Sequence, residues 1–276
     1  NKRWYLPGGK NDWQSGWCSP FCGGVLPRSE AIGRRAWIHG TIRTQSAPLI
    51  ALMYYKGVIF DLDGTLLDTL EDLADAANGM LATHGYPTHA IDAYRYFVGD
   101  GMNMLVTRAV PEDQRDAVTL EKCLITMKRE YQRCLNVKTE PYAGIETMLA
   151  ELNADKIPLA VLTNKPTPFV EQCIERFFPG NLFDQVIGQH DGLPKKPDPA
   201  GALQIAGAWG FATSEIVYVG DTSTDMETAV RAGMLPVGVL WGFRTREELE
   251  KYGAKRLIAS PVDLIPVVRQ IHEPSD

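Results

Sequence analysis

Residues 58–69 read VIFDLDGTLLDT, and this stretch decides the expected fold. It opens with an apolar, β-branched run that is typical of a buried strand. The run ends in Asp61 and Asp63, whose side chains project to the same side because strand side chains alternate. Gly64 then lets the backbone turn away. Two neighbouring carboxylates repel each other unless a cation neutralises them, so the pattern favours a divalent metal beside a carboxylate nucleophile.

Three further stretches downstream place polar residues at strand ends or in a rigid turn. They are residues 158–165 (PLAVLTNK), 192–199 (GLPKKPDP) and 216–225 (IVYVGDTSTD). The Thr163 hydroxyl and the backbone N–H of Asn164 are suitable hydrogen-bond donors to a phosphoryl oxygen. Prolines restrict the turn that carries Lys195 and Lys196, so an ammonium there can be held in one place.

Together these stretches resemble the four motifs of the haloacid dehalogenase-like superfamily of phosphohydrolases, in the same order. The resemblance implies that Asp61 is the nucleophile, that Asp63 is the acid/base, and that Mg²⁺ is the cofactor. It also selects Lys196 over Lys195, because the lysine of the family directly precedes a proline.

The same resemblance implies how the remaining motif residues are used. Mg²⁺ would be held by the Asp61 carboxylate, the Asp63 backbone carbonyl and Asp221. The phosphoryl oxygens would be bound by Thr163, Asn164 and Lys196. Asp225 would support the site, either by orienting a water molecule of the metal or by pairing with Lys196.

Strands and helices alternate from residue 157 onward. The expected strands are residues 157–162, 185–188, 216–219 and 236–240, and the expected helices are 167–177, 200–209, 225–232 and 245–252. With residues 58–60 as the first strand, this alternation predicts an α/β fold: a Rossmann-like parallel sheet with helices on both faces. Ligands of such sheets bind at the carboxyl ends of the strands, where all four motifs fall.

Residues 70–140 break the alternation and are expected to form consecutive helices. A stripe with helical spacing follows Leu70, and a second long helical pattern covers residues 112–135. An insert of this kind looks like the all-helical cap domain that the family places after its first motif. Residues 67–69 and 140–144 are the expected hinges of a lid that excludes water.

One polar loop, residues 96–102, interrupts the helices of this insert. It contains Gly99, Asp100 and Gly101. In the phosphoglycolate phosphatase branch of the family a similar cap loop meets the substrate, but a plain helix–helix turn is an equal alternative. Arg95 and Arg108 are either ligands of a substrate anion or solvated residues of a helix face.

The N-terminal segment differs from the rest of the chain. Residues 1–52 hold seven basic and two acidic residues, and Met53 is the first methionine. We expect residues 1–52 to be a disordered or non-native extension, with a targeting segment and a tail that contributes to the fold as alternatives. The remaining chain is expected to divide into a catalytic core, residues 53–69 and 141–276, and a cap, residues 70–140.

Composition excludes several classes of protein. A net charge of −6 argues against a general nucleic-acid surface, and no apolar run approaches the roughly 18–20 residues that span a bilayer. Five cysteines without framework spacing suggest free thiols in a reducing compartment, so a cytoplasmic protein is expected. We expect it to be a monomer or a homodimer.

The expected function is Mg²⁺-dependent hydrolysis of a small phosphorylated metabolite through an aspartyl-phosphate, with phosphoglycolate favoured by the resemblance. Four alternatives stay open: a phosphomutase, a nucleotidase or sugar-phosphate phosphatase, a catalytically silent binding protein, and a metal-free dehalogenase. Asp63 argues against the dehalogenase, because those relatives lack the second aspartate.

Overall fold

The computed structural model describes residues 55–270. The expected N-terminal extension, residues 1–52, lies outside the described residues. Residues 53–54 and 271–276, which are expected to belong to the core, also lie outside the described residues.

Within residues 55–270, six parallel strands form the central sheet, and two very short strands form a separate antiparallel pair. In chain order the strands are β1 (Gly57–Phe60), β2 (Leu67–Asp68), β3 (Glu140–Pro141), β4 (Leu159–Pro166), β5 (Gln185–Gln189), β6 (Ile216–Gly220), β7 (Leu235–Val239) and β8 (Arg256–Ile258). The order across the sheet is β5-β4-β1-β6-β7-β8. The chain runs outward from β1 to β5 and then returns to the other side of β1. This reversal makes a topological switch point, where such sheets bind ligands.

The helices cover both faces of the sheet and form the insert. They are α1 (Leu70–Thr83), α2 (Ile91–Phe97), α3 (Met102–Ala109), α4 (Ala117–Cys134), α5 (Ile145–Ala154), α6 (Thr167–Phe177), α7 (Ala200–Trp209), α8 (Ser223–Ala232), α9 (Arg246–Lys251) and α10 (Leu264–Arg269). Val58 and Phe60 of β1 pack with α5, α6 and α10 on one face, whereas Ile59 packs with α7 and α8 on the other. The expected doubly covered parallel sheet is therefore confirmed.

The strand expected at residues 157–162 differs most from its prediction. It begins at Leu159 and continues to Pro166, because pairing with β5 resumes at Pro166 after a register shift beyond Leu162. Thr163 and Asn164 therefore lie inside β4 instead of after it. The short strand β8 and helices α5 and α10 have no counterpart among the expected elements.

Helices α1 to α4 form the insert and share one hydrophobic core, to which Phe169 of α6 and Phe243 also contribute. The pattern expected over residues 112–135 divides into a 3₁₀ turn, Glu112–Gln114, and α4. Asp116 causes the break, because its side chain accepts hydrogen bonds from the backbone N–H groups of Val118 and Thr119 and so starts α4 at Ala117. The two expected hinge segments contribute to β2 and β3, which pair with each other and join the insert to the sheet domain.

The expectations about membrane spans and cysteines can also be compared with the structure. No helix in the described part of the chain combines the length and the apolar character needed to cross a bilayer. Cys123, Cys134 and Cys173 are free thiols, and burial raises the pKa of each of them.

Candidate active site

The four motifs meet at the carboxyl ends of β1, β4 and β6. Asp61 follows β1 directly, Thr163 and Asn164 lie in the last part of β4, and Asp221 follows β6 directly. Lys196 reaches this edge from the loop that follows β5. All of these side chains are buried, so the site lies below the surface of the protein.

Asp61 lies at the centre of the arrangement. Lys196 Nζ is 2.8 Å from Asp61 Oδ1, but the approach does not have hydrogen-bond geometry. Among the described residues, this buried oxygen therefore has no hydrogen-bond partner. Burial and the nearby Asp225 carboxylate raise the pKa of Asp61 to about 7, although the Lys196 ammonium opposes the shift. A buried carboxylate oxygen that accepts no hydrogen bond is unusual, and this is typical of an atom that reacts or binds a metal ion.

Three carboxylates come together here. Oxygens of Asp61, Asp221 and Asp225 all lie within 4.8 Å of one another. Burial raises the pKa of Asp221 well above its usual range, and the charges of Asp225 and Asp61 add to the shift. Carboxylate oxygens that lie this close repel each other, and hard oxygen donors in such an arrangement suit a divalent cation such as Mg²⁺.

The orientation of Asp221 is fixed by its neighbours. Its Oδ1 accepts a hydrogen bond from the Thr65 hydroxyl at 3.0 Å, and its Oδ2 accepts one from the backbone N–H of Phe243 at 2.8 Å. The backbone at Gly242 passes so close that a Cβ atom there would lie 2.3 Å from the Cβ of Asp221. Glycine is therefore required at position 242 for this contact.

Asp225 is fully engaged with protein groups. Its Oδ1 lies 2.6 Å from Lys196 Nζ, and its Oδ2 accepts hydrogen bonds from the backbone and hydroxyl of Thr222 at 3.0 and 2.7 Å. Of the two expected roles of Asp225, the pairing with Lys196 is therefore present. The Asp225 and Asp61 carboxylates outweigh the effect of burial and raise the pKa of Lys196.

Asp63 is paired with Lys165, a residue to which the sequence motifs assign no role. Lys165 Nζ donates to Asp63 Oδ1 at 2.7 Å and to the Tyr131 hydroxyl of α4 at 2.6 Å. Lys165 is buried, and the charge of Asp63 outweighs the effect of burial and raises the lysine pKa. The signal that could have drawn attention to Lys165 is its position directly after Thr163 and Asn164 of the second motif.

The expected cap loop contacts the core at several points. Asp100 pairs with Arg108 and accepts a hydrogen bond from the Thr224 hydroxyl at 2.8 Å. The Arg244 guanidinium donates to the carbonyl oxygen of Val98 at 2.9 Å and to that of Arg95. Arg108 thus neutralises Asp100, and Asp100 faces the core. The role of Arg244 was not foreseen.

A small cavity separates the cap from Asp61 and Asp63. Its volume is about 40 Å³. Gly99 and Gly101 line it, whereas Asp100, Arg95 and Arg108 are not among its lining residues. The rest of its wall comprises Leu73, Val98, Met102, Leu105, Tyr131, Thr163, Asn164, Lys165 and Pro166. A wider cleft of about 380 Å³ shares Gly101, Met102, Asn164 and Pro166 with this cavity and is partly lined by the exposed Lys128 and Lys195.

Comparisons with known proteins agree with this geometry. The sequence profile described as haloacid dehalogenase-like hydrolase matches residues 58–239. Phosphoglycolate phosphatase of Psychrobacter arcticus is 34% identical over 201 residues, which cover 70% of this chain and 87% of that protein. Phosphoglycolate phosphatase of Neisseria meningitidis serogroup A is 35% identical over 210 residues, which cover 75% of this chain and 89% of that protein.

A solved structure is also similar over nearly its whole length. It is the crystal structure of a candidate phosphoglycolate phosphatase from Lactobacillus delbrueckii subsp. bulgaricus, with 30% identity and a TM-score of 0.74. The match covers 79% of this chain and 99% of that one. The chain therefore belongs to the haloacid dehalogenase-like hydrolase family and is a phosphatase of that family.

Proposed function

We propose that this phosphatase hydrolyses phosphoglycolate, or a phosphate monoester of similar size, through an aspartyl-phosphate on Asp61 with Mg²⁺ as cofactor. One observation carries the proposal. Asp61 presents a buried carboxylate oxygen without a hydrogen-bond partner among the described residues, beside the Lys196 ammonium. The phosphoglycolate phosphatases that resemble this chain support the choice of substrate.

In the first half of the reaction, an Asp61 carboxylate oxygen would attack phosphorus. The new O–P bond forms as the bond between phosphorus and the leaving oxygen breaks, which gives the aspartyl-phosphate. Asp63 would give its proton to the leaving oxygen, so that glycolate departs with a neutral hydroxyl. Thr163, the backbone N–H of Asn164 and Lys196 would bind the remaining phosphoryl oxygens while their negative charge shifts.

In the second half, Asp63 would act as a base. It would remove a proton from a water molecule whose oxygen attacks phosphorus. The bond between phosphorus and Asp61 then breaks, inorganic phosphate leaves, and Asp63 is again protonated for the next turnover. The same residue can serve both halves because the first half leaves it ionised.

The residues present fit a divalent metal. Asp61, Asp221 and the backbone carbonyl of Asp63 would hold it, and Asp225 would act as a supporting residue because its carboxylate is paired with the Lys196 ammonium. When bound, Mg²⁺ would supply positive charge that offsets the clustered carboxylates and the phosphoryl oxygens. The raised pKa values of Asp61 and Asp221 support this proposal, because a bound cation would favour the ionised forms of both carboxylates.

The size of the inner cavity favours a small leaving group. With about 40 Å³, this cavity beside Asp61 and Asp63 is much smaller than the wider cleft of about 380 Å³, which favours a leaving group of the size of a two-carbon acid. This favours phosphoglycolate over the substrates of a nucleotidase, a sugar-phosphate phosphatase or a phosphomutase. Residues 70–140 would act as the lid that encloses this cavity above a core of residues 53–69 and 141–276.

The test is phosphate release by the purified full chain in the presence of Mg²⁺. We expect a kcat/KM for phosphoglycolate at least tenfold above that for a nucleoside monophosphate and for a hexose phosphate. Chelation should abolish turnover, and added Mg²⁺ should restore it. Full activity in excess chelator, or preference for one of the larger esters, would overturn the proposal.

A further inference from the structure

Lys165 is a buried cation to which the proposed mechanism gives no role. Its ammonium lies at the end of β4, between Asp63 Oδ1 at 2.7 Å and the Tyr131 hydroxyl at 2.6 Å. Its side chain is only 2% exposed. Burying a lysine costs free energy that a single ion pair rarely returns in full. The burial of the Lys165 ammonium therefore suggests that it serves the function of the site and not only the stability of the fold.

The hydrogen bonds of this pair leave donors available. An ammonium has three N–H groups, and two of them have partners among the described residues. The Tyr131 oxygen accepts from Lys165, so its own proton remains free for another acceptor. Both side chains line the inner cavity, beside the carboxylates of Asp61 and Asp63.

The charge of the cavity wall depends on Lys165. Of the described residues that line the cavity, Lys165 alone is positively charged, and the cap contributes apolar groups such as Leu105. Lys196 faces Asp61 and Asp225 and does not line this space. A leaving group with a negative charge needs a cation here, because an apolar wall cannot replace its hydration. A neutral leaving group would have no such need.

The geometry points to Lys165 and Tyr131 as the pair that recognises a carboxylate on a small leaving group. This assignment rests on the proposed function and names the groups that set its substrate class. The third N–H group of the Lys165 ammonium and the free proton of the Tyr131 hydroxyl can both be donated to the substrate carboxylate. The bond from the ammonium is then a charge-assisted hydrogen bond.

The wider cleft offers the main competing site for such an anion. Lys128 and Lys195 line it, but both are exposed to solvent. Water screens exposed charges, so they discriminate weakly between a charged and a neutral ligand. Lys195→Met is therefore the matched control: it removes one positive charge near the site without touching the buried pair.

The experiment compares two esters with leaving groups of the same carbon number, phosphoglycolate and ethyl phosphate. The quantity measured is the ratio of their kcat/KM values in the full chain with Mg²⁺. Wild type and Lys195→Met should prefer phosphoglycolate. Lys165→Met should lower this preference by about 10- to 100-fold, mostly through KM for phosphoglycolate, because a hydrogen bond to a charged group is lost. Tyr131→Phe should lower it by a smaller factor.

Each other outcome has a definite meaning. Equal losses on both esters in Lys165→Met would show that Lys165 acts through Asp63, and they would overturn the inference while leaving the proposed function intact. A change of preference in Lys195→Met, with none in Lys165→Met, would show that the substrate carboxylate binds in the wider cleft, and it would overturn the inference. A wild-type protein that hydrolyses neither ester would contradict the proposed function itself. If Lys165→Met does not fold, Tyr131→Phe decides, and an unchanged preference in it overturns the inference.

Discussion

The side-chain amide of Asn164 holds the backbone of Lys196 through two hydrogen bonds. Asn164 Oδ1 accepts from the backbone N–H of Lys196 at 2.9 Å, and Nδ2 donates to the Lys196 carbonyl oxygen at 3.1 Å. The same Nδ2 group donates to the carbonyl oxygen of Gly99 at 3.2 Å. One amide therefore connects the second motif, the third motif and the cap loop.

Asn164→Ala should weaken both stability and catalysis. The variant loses up to three hydrogen bonds of about 1 kcal/mol each, so the melting temperature should fall by about 5–10 °C. Lys196 would no longer be held against Asp61, and kcat/KM should fall at least tenfold. Calorimetry and steady-state kinetics measure the two effects. Asn153→Ala, at an exposed position of α5, is the control. A variant of Asn164 with wild-type values would contradict this role.

The positions of Asp61 and Asp221 at the sheet edge could be predicted from the sequence. Both follow apolar runs that form buried strands, and parallel strands of one sheet end at a common edge. The choice of Lys196 over Lys195 also agrees with burial, since Lys196 is buried and Lys195 is exposed. In each case a short stretch of sequence, a strand end or a lysine before a proline, is enough to predict the position.

The contacts of Lys165 and Arg244 could not be predicted in the same way. Lys165 meets Tyr131, which is 34 positions earlier in the chain, and Arg244 meets Val98, which is 146 positions earlier. Both contacts depend on how the cap docks on the sheet, and no local periodicity encodes that. Strands β2 and β3 were missed because two residues each are too few to show alternation.

Asp100→Asn should loosen the docking of the cap loop. Asp100 joins Arg108 of the cap to Thr224 of α8. The substitution removes the negative charge that pairs with the Arg108 guanidinium. We expect faster amide hydrogen exchange over residues 96–102 and a several-fold higher KM. Asp92→Asn is the control, because the Asp92 side chain is 93% exposed. Unchanged exchange in Asp100→Asn would argue against the docking role.

The affinity for Mg²⁺ should fall as the pH falls. Burial and Asp225 raise the pKa of Asp61 to about 7 in the metal-free protein, so below this pH a proton competes with the metal. The dissociation constant should rise by up to about tenfold per pH unit between pH 7 and pH 5. Isothermal titration calorimetry measures it, and a constant value over this range would contradict the assignment.

The same pKa shift has a consequence for stability. Between about pH 4 and pH 7 folded metal-free protein keeps a proton on Asp61 that the unfolded chain has lost, so this contribution to stability decreases as the pH rises. Melting temperatures of metal-free wild type and Asp61→Asn, recorded from pH 4 to pH 8, should therefore diverge as the pH rises, with the wild type losing more. Parallel curves would show that Asp61 does not titrate in this window.

Asp63→Asn should lower the rate more for substrates with a basic leaving group than for substrates with a weakly basic one. An amide cannot protonate the departing oxygen, so the alkoxide of phosphoglycolate would have to leave unprotonated. We expect a loss of at least a hundredfold with phosphoglycolate and a much smaller loss with p-nitrophenyl phosphate, whose leaving group needs no proton. Equal losses with both substrates would exclude the role of general acid.

The covalent intermediate on Asp61 is the central claim, and acid quenching within the first turnover tests it most directly. The full chain is mixed with Mg²⁺ and excess phosphoglycolate, quenched, digested and analysed by mass spectrometry. The account predicts a phosphoryl group on Asp61 in the peptide that contains residues 58–69, and none in Asp61→Asn. Turnover without a phosphorylated Asp61, or a phosphoryl group on another residue, would contradict the account.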